Sequence, residues 1–541
     1  MASSDGAPSA HSDGAKDADT CTSNTSGQEG KGEQSQKKAS SKRKSNEPRK
    51  VKRQKRANRF PNYTVQEGED MLFVISNNTC AYFGSAWDSE NKSKKRKKPN
   101  SPFKDETSEF VPKAPSDHRW GQSLPEEVLI NIFKMVVAQD GAVPFLCRAG
   151  RVCRLWNVAA SGPGLWRKVS VGHCWIAPRV SQSTKTETAI KNTIDWLAQN
   201  RFSQLREFSL HHWTMNVDYA VDVVSKFCPH LGALTLSHCS GLTKEAFQSL
   251  GLHSRSLRSL NLQHTEFQVE GLLSYLESHG GQIREIWFTR GLRYDRLLPA
   301  ISRGCCPGLE LLEINTKLDS KDGELSICIQ ALQAACPDLK IFRMLNIRPL
   351  HKTMRTSAEV SLGFPLLEEL CIATTSYSYL NDKDLWEILF GSPRLRVLDL
   401  RGCWRITPAG LAALPCDELE CLFWGQYFSS HAGSSLLKKG LHMVTQKWNQ
   451  TLQELDVANQ LFSKEDLEAA MCHLAQATDA STLRSLNLSG TRISPAAIRL
   501  LIDQTTALKY LNLSSCRYLP RGLKRIYRRQ EDIQQLLDKL E

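Results

Sequence analysis

The sequence predicts an α/β solenoid of about twelve repeats, horseshoe-shaped. A small all-α unit and a disordered basic N-terminal tail precede it. Three observations carry that expectation. A pattern of apolar residues, L-x-x-L-x-L, recurs from Leu205 to Leu513. Each copy is followed by apolar residues at helical spacing. Ahead of the repeats, residues 121–168 show an amphipathic helix followed by further short helical patterns.

The tail comes first. The chain of 541 residues has 70 Lys+Arg against 57 Asp+Glu, a formal charge of +13. Residues 1–100 hold 20 basic and 12 acidic residues, so most of the excess sits there and the rest is nearly balanced. The bulk of the protein is therefore not a nucleic-acid surface by charge alone. Residues 1 to about 60 are rich in Ser, Gly, Lys, Asp and Gln and nearly free of aliphatics. Such a segment cannot bury enough surface to offset chain entropy, which predicts disorder over 1–118. Gln36 to Arg59 carries 12 basic residues against one acidic, Glu47, and a second run spans Lys92 to Lys98. Both resemble nuclear-import signals and would make importin a partner. A solvated charge run and an RNA- or acidic-protein-binding segment are the alternatives. Between them Met71-Leu72-Phe73-Val74-Ile75 is an apolar island, readable as a strand or as a docking motif.

The all-α unit is placed at 119–168. Ser123 with Glu126 predicts a capping box, and Pro125 falls early in the helix. Apolar residues at 129, 132, 133, 136 and 137 form one face, while Val128, Ile130 and Met135 lie off it. A helix apolar on nearly all sides must be covered on nearly all sides. A three-helix unit of this size cannot do that alone, so a second polypeptide is expected on the other face.

After a linker or first capping segment at 169–204, the repeats occupy 205–519. The units start at 205, 231, 257, 283, 309, 339, 367, 395, 419, 452, 483 and 508. Four consecutive spacings of 26 and a mean of about 27.5 residues lie in the leucine-rich-repeat range. Thr243, Thr407, Ser463 and Ser494 stand at helix N-cap positions, with Pro408 and Pro495 at the first helical position. Cys-Pro pairs at 228, 306 and 336 close helices before the next strand. A strand, a loop and a helix make one turn of a solenoid whose units cover one another's apolar faces. Residues alternating with the strand leucines face the concave surface. There Trp287, Glu313, Arg343, Asp399, Arg401, Phe423 and Asp456 are candidate substrate contacts, with Trp287 and Phe423 expected as exposed aromatics. Each is also readable as an ordinary surface residue. His211-His212-Trp213 is either a contact or a packed loop. Residues 520–541 predict an amphipathic capping helix from Arg521, with Ile526, Ile533, Leu536, Leu537 and Leu540 inward.

Several classes are excluded as expectations. No apolar run approaches the ~18–20 residues of a membrane span. The best candidate, Val128 to Ala138, is interrupted by Asn131 and Lys134. The opening MASSDGAPSAHSDG has no apolar stretch of a secretory signal. The 17 cysteines include no C-x-x-C pair and no zinc spacing, which predicts no metal and a reduced compartment, nucleus and/or cytoplasm. Phosphate-loop, dinucleotide, zinc-protease and serine-hydrolase motifs are missing, so a non-catalytic protein without cofactor is expected.

Leu124-Pro125-x-Glu127-Val128-Leu129-x-x-Ile132-Phe133, then Val152-Cys153-Arg154-x-Trp156 and Leu165-Trp166, resembles an F-box. Followed by repeats carrying Cys239, Cys403 and Cys516 after the strand, the chain resembles the F-box/leucine-rich-repeat family. PFLCRAGRVCRLW, LDLRGCWRITPAGL and CRYLPRGLKR are similar to one member in particular. The stretch Val137 to Phe145 is a few residues longer than the usual link in F-boxes. The resemblance implies docking on the Skp adaptor of cullin–RING ubiquitin ligases through Leu124, Pro125, Leu129, Ile132, Phe133, Val152 and Trp156. It implies a substrate-recognition subunit of an SCF-type ligase, whose repeats hold an unknown protein substrate for ubiquitination and proteasomal degradation. An all-α cap for the solenoid is the alternative reading of the unit. A nuclear leucine-rich-repeat scaffold or RNA-associated protein acting through its basic tail is the alternative reading of the chain.

Overall fold

The computed structural model describes residues 65–67, 73–75, 124–172, 184–291, 295–316, 324–351, 363–375, 378–426, 437–479, 482–523 and 525–540. The basic runs and Ser123 lie outside the described residues. The apolar island supplies a strand. Val65–Glu67 (β1) and Phe73–Ile75 (β2) pair antiparallel, with Val65 opposite Ile75.

The all-α unit consists of Glu126–Asp140 (α1), Phe145–Ala149 (α2), Arg154–Ala160 (α3) and the 3-10 turn Pro163–Trp166. The expected capping box rests on Ser123, outside the described residues. Pro125 is the N-cap and Glu126 is the first helical residue, so Glu126 is not at the third position that a box requires. Phe133 anchors the interior. Its ring meets Phe145 edge-on at 5.4 Å and Trp156 at 5.2 Å. Trp166 closes the base, its Nε1 donating to the Ala160 carbonyl at 2.8 Å.

A 14-stranded sheet follows, and all twelve L-x-x-L-x-L units supply a strand to it in chain order. The middle apolar residue of every unit is in register with its neighbours. The ladder runs Phe208, Leu234, Leu260, Ile286, Leu312, Phe342, Leu370, Leu398, Leu422, Leu455, Leu486 and Leu511. All twelve are buried. Full burial of such a side chain contributes about 1.5–3 kcal/mol, so the ladder is a main source of cohesion between units.

Both ends carry strands that the repeat pattern does not predict. Lys168–Val171 (β3) lies parallel to Glu207–His211 (β4), with Val169 opposite Phe208 and Val171 opposite Leu210. The expected linker is therefore the strand β3 together with the helix Thr184–Asn200 (α4). At the far end Ile526–Tyr527 returns antiparallel against Tyr510–Asn512. Ile526 is thus in a strand, and the terminal helix is Gln530–Leu537 rather than a helix from Arg521. An unpaired edge strand would expose a row of N–H and C=O groups, and the returning strand satisfies part of it. Between units, Glu324–Ile327 and Arg348–His351 add a separate parallel pair.

Helix starts are held by their own caps and by the neighbouring unit. Thr407, Ser463 and Ser494 each accept a backbone N–H of the first turn. Thr243 does not. Its own N–H goes to Asp218 Oδ1 at 2.8 Å, and the Lys244 N–H goes to Gln268 Oε1 at 3.0 Å, from the units on either side. Asp382 serves Thr407 in the same way, accepting its N–H at 2.8 Å and its hydroxyl at 2.6 Å.

Candidate docking and capture surfaces

Helix α1 has two apolar faces with different fates. Leu129 and Phe133 are 1% exposed and belong to the interior of the all-α unit. Expected as adaptor contacts, they are instead the core on which such a surface rests. Trp156 is half-buried against Phe133, and Leu124 is half-buried against the core. Ile130, off the predicted face, lies within 4.0 Å of where a Gly162 Cβ would stand, so the chain itself covers it. The remaining apolar positions form a stripe. Pro125, Val128, Ile132 and Met135 stand at i, i+3, i+7 and i+10, which places them on one side of the helix. Pro125 and Val128 are exposed, Ile132 is half-buried, and Met135 is 68% exposed. Val152, at 62%, and Val158 on α3 are further exposed apolar side chains of the unit. Apolar exposure of this density on one small unit makes it a candidate interaction site.

The candidate substrate residues of the sheet fall into one row. Trp287 is opposite Glu313, then follow Arg343, Cys371, Asp399, Phe423 and Asp456, each in register with the next. Cys371 completes the row, and a cysteine at such a position carries no charge or aromatic signal that would mark it in the sequence. Arg401, two residues beyond Asp399, folds back on it. Its Nε donates to Oδ1 at 2.9 Å and its Nη2 to Oδ2 at 2.5 Å, and its guanidinium lies 5.5 Å from the Phe423 ring centre.

Most of these groups are occupied with one another. Arg343 gives its fork to Glu369, at 2.5 Å and 2.9 Å, and a longer contact of 3.3 Å to Glu313, which also accepts from Gln263. Burial pushes the Glu313 carboxyl up further than Arg343 pulls it down, consistent with the fork being spent on Glu369. Burial alone would lower Arg343, but its hydrogen bonds to Glu369 and the two nearby carboxylates outweigh that and hold it charged. Burial also raises Asp456, which accepts the Ala458 N–H at 2.9 Å. Phe423 is 2% exposed, so the expectation of an exposed aromatic fails there. Glu313, Asp399, Arg401 and Asp456 are likewise buried. They cannot be outward contacts as they stand. Trp287 is half-exposed, with Thr235 and Asn261 in the same register row.

One neighbouring group has no such partner. Glu454, in the row of Glu369, Val397 and Cys421, is buried, and its Oε2 has no hydrogen bond. Burial pushes its carboxyl to about 8, against a weaker pull from Arg484.

The histidine motif resolves in part into packing. Trp213 is buried, and His212 stacks on His238 at 4.6 Å, which stacks on His264 at 4.7 Å. All three have φ between 55° and 60°. The legible signal is a histidine two residues after the last strand leucine in three consecutive units. Among the described residues no group of three or more His, Cys, Asp or Glu could hold a metal, and no helix is long and apolar enough to cross a membrane.

Comparison with known proteins assigns names to the two parts. Residues 122–171 match the F-box-like family, and residues 253–274 and 391–414 match the Leucine Rich repeat family. A solved structure, the crystal structure of the Rad7 and Elc1 complex in yeast, aligns over 78% of this chain and 87% of that chain, at 15% identity and a TM-score of 0.39. The chain thus carries an F-box-like segment followed by leucine-rich repeats.

Proposed function

We propose, from an F-box-like segment joined to leucine-rich repeats, that this chain is the substrate-recognition subunit of an SCF-type ubiquitin ligase. The observation that carries the reading is the stripe of Pro125, Val128, Ile132 and Met135 along α1 and its N-cap, exposed except at the half-buried Ile132. The stripe takes the Skp adaptor, with Val152 beside it in the sequence motif, and the adaptor brings the cullin and RING subunits. Leu124, Leu129, Phe133 and Trp156 support that surface from within. The chain performs no bond chemistry and acts by bringing substrate lysines to a charged conjugating enzyme, with proteasomal degradation as the outcome. Its place of action is the nucleus and/or the cytoplasm, with the basic runs engaging importin. The segments quoted above resemble F-box/leucine-rich-repeat protein 6.

The client surface is narrowed to the accessible part of the row, centred on Trp287. Glu313, Arg343, Asp399, Arg401, Phe423 and Asp456 act behind it as fixed, mutually paired groups that shape the sheet face. Preorganised polar groups of this kind cost little further ordering on binding.

The test is recovery of the Skp adaptor from cells with Val128→Asp/Met135→Asp, compared with deletion of residues 36–98. Loss with the stripe variant and retention with the deletion supports this reading. Loss of every partner with the deletion alone favours the nuclear scaffold or RNA-associated protein.

A further inference from the structure

Cysteine serves a repeated structural role in this chain. Cys228, Cys306 and Cys336 each precede proline, each is fully buried, and each carbonyl accepts the N–H three residues on, at 3.1, 3.3 and 3.3 Å. Burial pushes the Cys228 and Cys336 thiols up to about 12, which keeps them protonated. The unit that closes at Cys306 differs in one respect. Where the other two have Phe227 and Ala335 before the buried cysteine, it has Cys305, which is partly exposed. The two sulfurs are 3.7 Å apart.

We propose that Cys305 and Cys306 are a redox-active vicinal dithiol, oxidised by a hydroperoxide to an intramolecular disulfide. The Cys305 thiolate attacks the peroxide. The O–O bond breaks, Cys305 becomes a sulfenic acid, and the alkoxide or hydroxide that leaves takes a proton from solvent to give an alcohol, or water from hydrogen peroxide. The Cys306 sulfur then attacks the Cys305 sulfur. The S–S bond forms, the S–O bond breaks, and the hydroxyl leaves as water with the Cys306 proton. The dithiol loses two electrons and the peroxide gains them.

The geometry separates the two roles. Cys305 is reachable from solvent and Cys306 is not, so the first oxidation falls on Cys305 and the resolving thiol waits beside it. Either thiol can donate across the 3.7 Å contact; once Cys305 is ionised, Cys306 donates to it and, with Arg303, favours the thiolate against burial and the opposing charge of Glu277. The same bond, with burial, keeps Cys306 protonated. Closure must draw the sulfurs from 3.7 Å to about 2.05 Å. Room for that motion is limited on one side. A Cβ at Gly280 would come within 3.0 Å of the Cys306 sulfur, so the pair is packed on bare backbone of the preceding unit. The oxidised form therefore shifts Cys306 within the core, and loosens the junction that its carbonyl makes with Leu309 and with the Cys336 thiol.

The test uses the full chain, reduced and then exposed to hydrogen peroxide while folded, denatured and alkylated with iodoacetamide, and read by peptide mass. The expected result is that the peptide holding both residues loses both alkylation labels together, becomes lighter by two hydrogens, and regains the labels after dithiothreitol. Cys306→Ser should leave a sulfenic acid on Cys305 that dimedone traps, and Cys305→Ser should leave Cys306 fully alkylated. The proposal is overturned if the wild-type pair stays alkylated while other thiols oxidise, or if Cys305 accumulates as sulfenic acid in the wild type without closing. The wild-type reading decides closure even if a variant fails to fold.

Discussion

The carboxylate of Asp466 holds the start of the preceding unit's helix: its Oδ2 accepts the Leu441 N–H at 2.9 Å and the Gly440 N–H at 3.1 Å. Its Oδ1 lies 2.6 Å from His442 Nδ1. A buried side chain of one unit thus satisfies orphan amides of Leu441–Trp448, the helix of another.

Asp466→Ala should therefore destabilise the junction between these units by about 1–3 kcal/mol, since it leaves buried N–H groups without acceptors. Hydrogen exchange should show the loosening around 440–448 and 464–475, with distant units unchanged, because solenoid energetics are local. Uniform loss of protection along the chain would contradict this.

The two faces of α1 should respond oppositely to substitution. Phe133→Ala removes a buried ring held by two aromatic neighbours and should cost about 3–5 kcal/mol in the stability of the all-α unit. Met135→Asp should cost little, within about 0.5 kcal/mol, while abolishing adaptor recovery. Denaturant melts paired with adaptor pull-down separate the two effects.

Glu454 makes stability depend on pH. Its folded-state pKa of about 8 lies above the unfolded value of ~4.3, so the folded form prefers the neutral acid. Its contribution is full below about pH 4.3 and is lost as pH rises toward 8, by up to about 1.4 kcal/mol per unit. Glu454→Gln should therefore gain stability over the wild type increasingly between pH 5 and 8. Denaturant midpoints across that range are the measurement, and a gain that does not grow with pH would contradict the assignment.

Trp287 and Phe423 share one register row but should differ in effect. Trp287→Ala should reduce client labelling in proximity experiments and keep adaptor recovery, at a stability cost of about 1 kcal/mol. Phe423→Ala should cost about 3–5 kcal/mol, because the ring is buried and carries the Arg401 guanidinium.

The repeat architecture was legible because one physical constraint, a strand leucine ladder, repeats twelve times with near-constant spacing. The end strands were less so. Trp166-Arg-Lys-Val169-Ser-Val171 fits the same pattern with Trp and Val in place of Leu, and Val169 and Val171 occupy the ladder register. Its first position is Trp166, where each of the twelve units has Leu or Ile, and that hid it. Ile526 fits the helical spacing of the terminal segment, whereas the two-residue strand it forms has no period of its own. The face of α1 was legible as a surplus of apolar residues, but which residues turned inward was not. That depends on where Phe145 and Trp156 stand, which no spacing along the helix encodes. In the substrate row, charge and aromaticity were legible and pairing was not, since Arg343 and Glu369 are 26 residues apart in sequence.

Trp166 belongs at once to the all-α unit and to the first strand's approach. Its ring lies 5.9 Å from Phe202, which lies 6.3 Å from Phe208 in the sheet, and the Arg167 carbonyl accepts both Arg206 and Glu207 N–H groups. The joint is welded rather than hinged. On the proposed function, a bound client would be presented at one fixed bearing to the enzyme, so selection among its lysines would fall to the client's own shape and not to swivelling of the receptor.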